Sequence, residues 1–283
     1  MGIQGLLTVL KPLTRDVHMK DFKNKTAAVD VMNWLYKGAY SCAYELCTDT
    51  DSFSYLAFPL KMLKMLRSHR INTICVFDGI HLKAKEETEK TRRDNKMKNR
   101  LLGETFDTAG KKEEARKYYG RSMTLKTRMI DLFMDILERL GFSYIVAPYE
   151  ADAQISYMCR EGIVDFAISE DSDLLVYGCP NLVMKLTPQG TGCQIMVQAL
   201  RNPEFVDNVA DKCVKDLARL SETDFVNICI MAGCDYLPSI QGIGLKTAIK
   251  HFSQALTDNK LAEVIDKIRH HKSFKDRVPP EYL

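Results

Sequence analysis

Residues 164–175 read VDFAISEDSDLL. A largely apolar, β-rich run meets three acids, Glu170, Asp171 and Asp173, packed into four residues. Such a run predicts a short buried strand. The acids therefore fall where a strand leaves the core, a place where charge is costly unless something neutralises it.

The same junction recurs along the chain. TAAVD (26–30) ends in Asp30, INTICVFD (71–78) in Asp78, and FSYIVAPYE (142–150) in Glu150, with Asp152 close behind. Helical patterns lie between the runs: VMNWLYKGAYSCAYEL follows the first and FSYLAFPLKMLKMLRSH precedes the second. Leu125, Met129, Leu132, Phe133, Ile136, Leu137 and Leu140 share one apolar helix face that stops at Gly141. ADAQISYMCREG reads as another helix. Strands alternating with helices predict an α/β fold: a central, mostly parallel twisted sheet flanked by helices on both faces.

In such sheets ligands bind beyond the carboxyl ends of the strands. Four strands thus bring Asp30, Asp78, Glu150, Asp152, Asp171 and Asp173 to one edge, and Asp235 in MAGCDYLPS is a seventh candidate. Any one of these acids could simply cap a helix, Asp152 or Asp171 above all. All of them together are harder to explain that way, because clustered carboxylates raise one another's pKa. No matching set of Lys or Arg follows these strands. Hard divalent cations are the natural neutraliser, and Mg²⁺, which keeps several waters, suits an all-carboxylate site. Two such ions about 4 Å apart can clamp the attacking and leaving oxygens of a phosphoryl transfer.

Residues 83–122 break the α/β rhythm. From Lys83 to Arg100 there are eight basic residues against four acidic ones, and a helix there has almost no apolar face. At helical spacing Lys85, Arg92 and Lys96 share a side, with Glu89 among them. A solvated, salt-bridged helix and a cationic arm for phosphate both fit this pattern. Beyond about residue 215 the strand signals vanish, and helical patterns surround Gly-rich turns. In QGIGLKTAIK (241–250) two glycines precede a helix. That arrangement lets backbone approach a phosphate, and it also serves as an ordinary helix–helix turn. Trp34 and Tyr36 could stack on a base or belong to the core.

The bulk numbers exclude little. The 283 residues are 46% hydrophobic, enough for a sizeable core, and the net charge of +3 leaves any phosphate attraction to local patches. Nine cysteines without a CxxC pair read as small core residues of a reducing compartment. No apolar run approaches the roughly 20 residues of a membrane span, and MGIQGLL lacks a signal-peptide pattern. A soluble intracellular protein is expected.

MGIQGLL, VFDG around Asp78, APYEADAQ, SEDSDLL and GCDYLPSIQGIG, in that order and nearly end to end, resemble the flap-endonuclease (XPG/Rad2-like) superfamily of structure-specific 5′ nucleases. EADAQ, EDSDLL and GCDYL resemble its eukaryotic exonuclease 1 branch. The resemblance implies a monomeric Mg²⁺-dependent 5′→3′ exonuclease on double-stranded DNA with 5′ ends, nicks or gaps, also cutting 5′ flaps, with Mn²⁺ able to substitute. It implies work in the nucleus, in mismatch repair, end resection and recombination. Mismatch-repair partners would be recruited through a further C-terminal tail.

Carried over position by position, the seven acids match the metal ligands, Asp171 and Asp173 being catalytic. Lys85 and Arg92 match basic residues of a helical arch that contact the scissile phosphate, with Arg93 and Lys96 beside them on DNA. Gly2 matches a buried glycine near the site, and Lys185 a DNA-contacting lysine. Ser239 through Lys246 match a helix–two-turn–helix element. There Gly242, Gly244, Lys246 and Thr247 would grip the duplex, and Ser239 and Ile243 would hold K⁺. The implied organisation is an N-terminal nuclease region at 1–99, an arch at 83–125, an internal nuclease region at 138–230 and the DNA-gripping region at 221–283. Family members usually carry Tyr and His where this chain has Met32 and Tyr36, so the aromatic wedge at the DNA end is altered. Residues around 198–220 are an addition.

Overall fold

In the computed structural model, which describes residues 2–48, 52–271, 278, 279 and 282, one seven-stranded sheet forms the centre. Its strands are β1 (Thr14–His18), β2 (Thr26–Asp30), β3 (Asn72–Phe77), β4 (Ser143–Val146), β5 (Phe166–Ile168), β6 (Leu182–Met184) and β7 (Thr191–Ile195). Their order is β1-β7-β6-β5-β2-β3-β4. The five strands from β6 to β4 run parallel, and β7 and β1 add an antiparallel margin. All four strands expected from sequence are present. β1, β6 and β7 were not anticipated: TRDVH is polar, LVM is only three residues long, and TGCQI carries a glycine that weakens a strand pattern.

The parallel part is buried on both sides, as alternation along its strands shows. Ala27, Val29, Cys75, Phe77, Phe166 and Ile168 face one apolar cluster, which includes Trp34, Leu35, Leu63 and Phe133. Ala28, Val76 and Ala167 face the other, which includes Leu6, Ile155, Leu174 and Phe252. Trp34 is thus a core residue, which removes it as a stacking candidate.

Helices Val31–Ser41, Ala57–Ser68 and Thr127–Arg139 cover the first face. The last of these buries Met129, Phe133 and Leu137, as its spacing predicts, but leaves Leu140 exposed at its end. Helix Ala151–Arg160 and the C-terminal helices cover the second face. Among the described residues every helix is too short or too polar to cross a membrane, and all nine cysteines are free thiols.

The charged excursion is a pair of helices, Glu86–Thr108 and Lys112–Ser122. The second folds back on the first. Phe106 stacks on Tyr118, with ring centroids 5.2 Å apart, and the Tyr119 ring lies where a side chain on Gly103 would project. The 23-residue first helix buries only Gly103, so tertiary burial gives it little, and its many charges keep it in solvent.

β2 and β5 are adjacent, yet from them the chain order runs outward in opposite directions. That reversal opens a crevice at their carboxyl ends. The strand beside it, β3, is anchored by Phe77 packing edge-on to Phe133 and Tyr144. Phe133→Ala should cost roughly 3–5 kcal/mol. Denaturant unfolding would read this directly, and a loss below about 1 kcal/mol would show that this contact does not anchor the strand.

Candidate active site

The acids meet at that reversal. Asp30 ends β2, and its side chain accepts from the Asn33 amide at 3.3 Å and from the Ser169 hydroxyl at 2.9 Å. Asp78 follows β3 and accepts from the Ala151 amide at 2.9 Å, so it caps the helix that carries Asp152. Asp171 follows β5 and accepts from the Asp173 amide at 3.0 Å. The capping reading is therefore correct for Asp30, Asp78 and Asp171 as local geometry. It fails for Asp152: one of its oxygens, like one of Asp173's, is buried without a hydrogen-bond partner.

Such orphaned oxygens are expensive. Burial raises Asp30 from 3.8 to about 6, with Asp78 and Asp171 adding repulsion. Burial, then Asp171, raises Asp173 to about 6. Asp152 is pushed well above the usual carboxylate range by burial and by the charges of Asp30, Asp171, Asp78 and Asp173. Asp78 is raised by burial first.

Glu150 and Asp235 do have cationic partners, and these come from the arch. Lys85 Nζ lies 2.6 Å from Glu150 Oε1 and 3.6 Å from Asp235 Oδ2. Arg92 donates to both oxygens of Asp235 at 2.8 and 2.7 Å. The Thr88 hydroxyl bonds the Asp235 carbonyl at 2.9 Å. These partners come from the charged excursion, which the sequence offers as a cationic arm, and not from a set of Lys or Arg following each strand. Lys85 is itself buried. Burial pulls its pKa down, but the hydrogen bond and charge of Glu150, with Asp235 behind, outweigh this and leave it raised.

A cleft of about 790 Å³ lies under the arch, lined by Asp30, Asp78, Glu150, Asp152, Asp171 and Asp235 on one side and by Lys85, Arg92, Arg93 and Lys96 on the other. Tyr36 is on its wall, and Lys96 sits 5.4 Å over the Tyr36 ring. Gly2 packs against the floor: a Cβ there would stand 2.1 Å from Ser172 Oγ and 2.7 Å from Asp171 Oδ1, and its φ of +94° already favours glycine.

Lys185 lies outside the cleft. It adopts a left-handed φ of 52° and donates its amide to Glu170. Glu170 also pairs with Lys37 at 2.8 Å, so the first acid of SEDSD is a brace. Ser239, Gly242, Ile243 and Gly244 lie in a separate turn after helix Glu222–Ala232, and Lys246 and Thr247 in the first turn of the helix that follows, Leu245–Ser253. Residues that sequence reasoning missed are Tyr177 and Tyr236, whose hydroxyls meet 2.5 Å apart over Glu150. Nothing in the apolar-versus-charged pattern marks them.

Among the described residues no three acidic, histidine or cysteine side chains converge on one point as a closed metal shell. The carboxylates are instead spread across the cleft, with Lys85 and Arg92 between two of them. Their donor chemistry still fits hard divalent cations: all-oxygen, mutually repelling, with two orphaned oxygens and room for water.

A doubly wound sheet with acids at its switch point and a basic helical arch above them defines a phosphate-handling hydrolase architecture, and the comparisons give it a family. The chain matches the XPG N-terminal domain over residues 1–99 and the XPG I-region over 141–235, together well over half its length, and it belongs to the XPG nuclease family. Over its whole length it is 37% identical to Exonuclease 1 of Xenopus laevis, of which it covers 37%. It is 34% identical to the DNA damage-inducible protein DIN7 of Saccharomyces cerevisiae, covering 98% of this chain and 64% of that one. The chain thus spans about a third of the length of its Exonuclease 1 relatives.

The fold matches flap endonuclease-1 from Methanococcus jannaschii with TM-score 0.61 at 28% identity, over 97% of this chain and 82% of that one. It matches the catalytic core of Rad2, solved in complex with DNA substrate, with TM-score 0.70 at 17% identity, over 99% and 76%. Nucleases of this family depend on divalent metal.

The raised carboxyls carry a pH signature. An acid whose folded pKa lies above its unfolded value favours folding in its protonated form. That contribution is complete below about 4 and is lost as pH rises through about 6, the folded value of Asp30 and Asp173. The EDTA-treated protein should therefore lose melting temperature between pH 4 and pH 6, and saturating Mn²⁺ should restore it at pH 7. A flat profile with no response to Mn²⁺ would contradict the electrostatic account of the cluster.

Proposed function

We propose that the chain is the nuclease core of a metal-dependent 5′→3′ exonuclease on double-stranded DNA that also cuts 5′ flaps. The observation that carries this reading is the placement of six carboxylates, the orphaned oxygen of Asp152 among them, opposite the cations of the arch across one cleft. Asp30, Asp78, Glu150, Asp152, Asp171, Asp173 and Asp235 would hold two Mg²⁺ ions, or Mn²⁺ in their place. Bound there, the ions would activate water and neutralise charge on the phosphate under attack.

The remaining roles belong to the chain. Lys85 and Arg92 exchange carboxylate partners for the scissile phosphate and steady its developing charge. Arg93 and Lys96 extend the cationic wall along the strand. Tyr36 presents its ring to a frayed terminal base when Lys96 moves aside. Lys185 meets the duplex backbone beyond the cleft.

The turn at 239–247 is the proposed second grip, a helix–two-turn–helix element. Ile243 and Leu245 point into the core while Gly242, Gly244 and Lys246 face solvent. Gly242 has a φ of +90° and needs glycine for its own backbone. Gly244 does not: its φ is −88°, and a Cβ there would meet nothing within 4 Å. The chain's own packing leaves glycine at 244 unexplained. Close approach of a phosphate to the uncapped start of helix Leu245–Ser253 explains it. Thr247 lies one turn in, and Ser239 and the Ile243 carbonyl would ligate K⁺ beside it. Contacts of this kind read backbone, not sequence.

The relatives' names support work in DNA repair. Mismatch repair, end resection and recombination in the nucleus, and mismatch-repair partners bound through a longer chain, form part of the same proposal. A strict flap endonuclease is the second reading, favoured by the fold shared with flap endonuclease-1.

Cleavage of a 5′-labelled recessed-end duplex beside a 5′-flap duplex separates the two. Mononucleotides released from the duplex in Mg²⁺, abolished by EDTA and reduced at least 1,000-fold in Asp173→Ala, support the exonuclease. Cutting of the flap alone moves the protein to the second reading, and cutting of neither overturns both. Gly244→Ala should keep the wild-type melting temperature while weakening duplex binding several-fold, read by anisotropy. Unchanged binding would remove the second grip.

A further inference from the structure

Glu150 is held more tightly than a metal ligand supplied by a helix start would be on its own. Lys85 occupies its Oε1 at 2.6 Å. On the other oxygen, the Tyr236 hydroxyl donates to Oε2 at 2.8 Å, and the Tyr177 hydroxyl lies 3.3 Å from the same atom. The two phenols touch each other at 2.5 Å. A phenol has one hydrogen to give. The shortest consistent arrangement is a series in which Tyr177 donates to Tyr236 and Tyr236 donates to Glu150. In the reverse arrangement one phenol hydrogen still sits on Oε2. Either way Oε2 is tied down, and Oε1 is the oxygen that can exchange a cation.

Each tyrosine also sits beside another acid of the site. Tyr236 follows Asp235 directly. Tyr177 ends the short helix Asp173–Val176, its amide bonded to the Asp173 carbonyl at 3.0 Å. The pair therefore ties the segments that carry Asp173 and Asp235 to the Glu150 carboxylate. The Tyr236 ring has a second task, because Lys85 Nζ lies 4.7 Å from its centroid, within cation–π range. One phenol thus fixes the carboxylate by its hydroxyl and seats the opposing ammonium by its face.

We propose that Tyr177 and Tyr236 are positioning residues, a hydrogen-bonded phenol pair that locks the Glu150 carboxylate so that Oε1 faces the cation. This deepens the two-metal reading and rests on it. Partners that orient a metal ligand are worth about 10–100-fold in affinity or activity.

The test uses the full chain as wild type, Tyr236→Phe, Tyr177→Phe and the double variant, with Mn²⁺ affinity read by calorimetry and cleavage followed against Mg²⁺ concentration. The rings stay in place, so melting temperatures should not move by more than a degree or two. Tyr236→Phe should weaken Mn²⁺ binding about 10-fold and raise the Mg²⁺ midpoint of cleavage by a similar factor. Rate should recover at high Mg²⁺, and KM for DNA should not change. Tyr177→Phe should lose about 3-fold by the same route. In each single variant the remaining hydroxyl still reaches Oε2, so the double variant, which leaves that oxygen no phenol hydrogen, should bind Mn²⁺ most weakly with its melting temperature unmoved, a pattern that two unrelated packing defects would not give.

Variants that bind Mn²⁺ as wild type does overturn the proposal while leaving the metal site standing. So does a lower melting temperature with an unmoved Mg²⁺ midpoint, which would assign the tyrosines a packing role only. Wild-type protein that binds no Mn²⁺ overturns the metal reading beneath it.

Discussion

Mutual repulsion among carboxylates at one switch point is the constraint on which the rest of this structure turns. The sheet cannot avoid gathering them, since its parallel strands all end on the same side and four of the five, β2, β3, β4 and β5, lead into an acid. Burial and crowding raise Asp30, Asp78, Asp152 and Asp173 together. The fold offsets part of that cost locally, through backbone amides donated to Asp30, Asp78 and Asp171 and the Ser169 hydroxyl donated to Asp30. It offsets another part by bringing two cations of the arch, Lys85 and Arg92, down over the site. The first arch helix is exposed and buries only Gly103, so the ionic contacts of Lys85 and Arg92 to Glu150 and Asp235 are its main ties to the floor of the site.

This explains why an element with so little apolar surface has a defined position. A helix normally gains its place by burying a stripe. The first arch helix instead leans on the second through Phe106, Tyr118 and the Gly103–Tyr119 contact, and on the floor of the cleft through Lys85, Thr88 and Arg92. The desolvated Lys85 contact counts for more than the exposed pairs farther along, such as Arg100–Glu104, whose charges are largely screened by water.

Much of this could be read in the residues, and what could not has identifiable causes. The four strands that carry acids were legible because buried parallel strands are short apolar runs with a sharp polar end. β1 and β7 pair antiparallel at the sheet margin, where half-exposure permits sequences such as TRDVH and TGCQI that match no apolar template. The acids were legible as a set, but their partners were not. A strand-end argument looks nearby in sequence, whereas Lys85 reaches Glu150 across 65 positions and Arg92 reaches Asp235 across 143. The tyrosines were silent for a further reason: a phenol's apolar ring and polar tip suit both core and site, and only the meeting of two hydroxyls over one carboxylate oxygen separates the cases.

The pairing of Lys85 and Arg92 with Glu150 and Asp235 also bears on what the cleft will admit. To open it, something must satisfy the released ammonium and guanidinium, and something else must satisfy the released carboxylates. A lone anion answers only the first demand, and a lone cation only the second. Each leaves half of the broken pairs unmatched in a poorly hydrated place. Only a ligand pair of opposite sign meets both. The cleft thus couples its two ligands through ordinary ion pairs: either one alone binds against a remainder of unmatched charge, and the first to arrive frees the partners that the second needs.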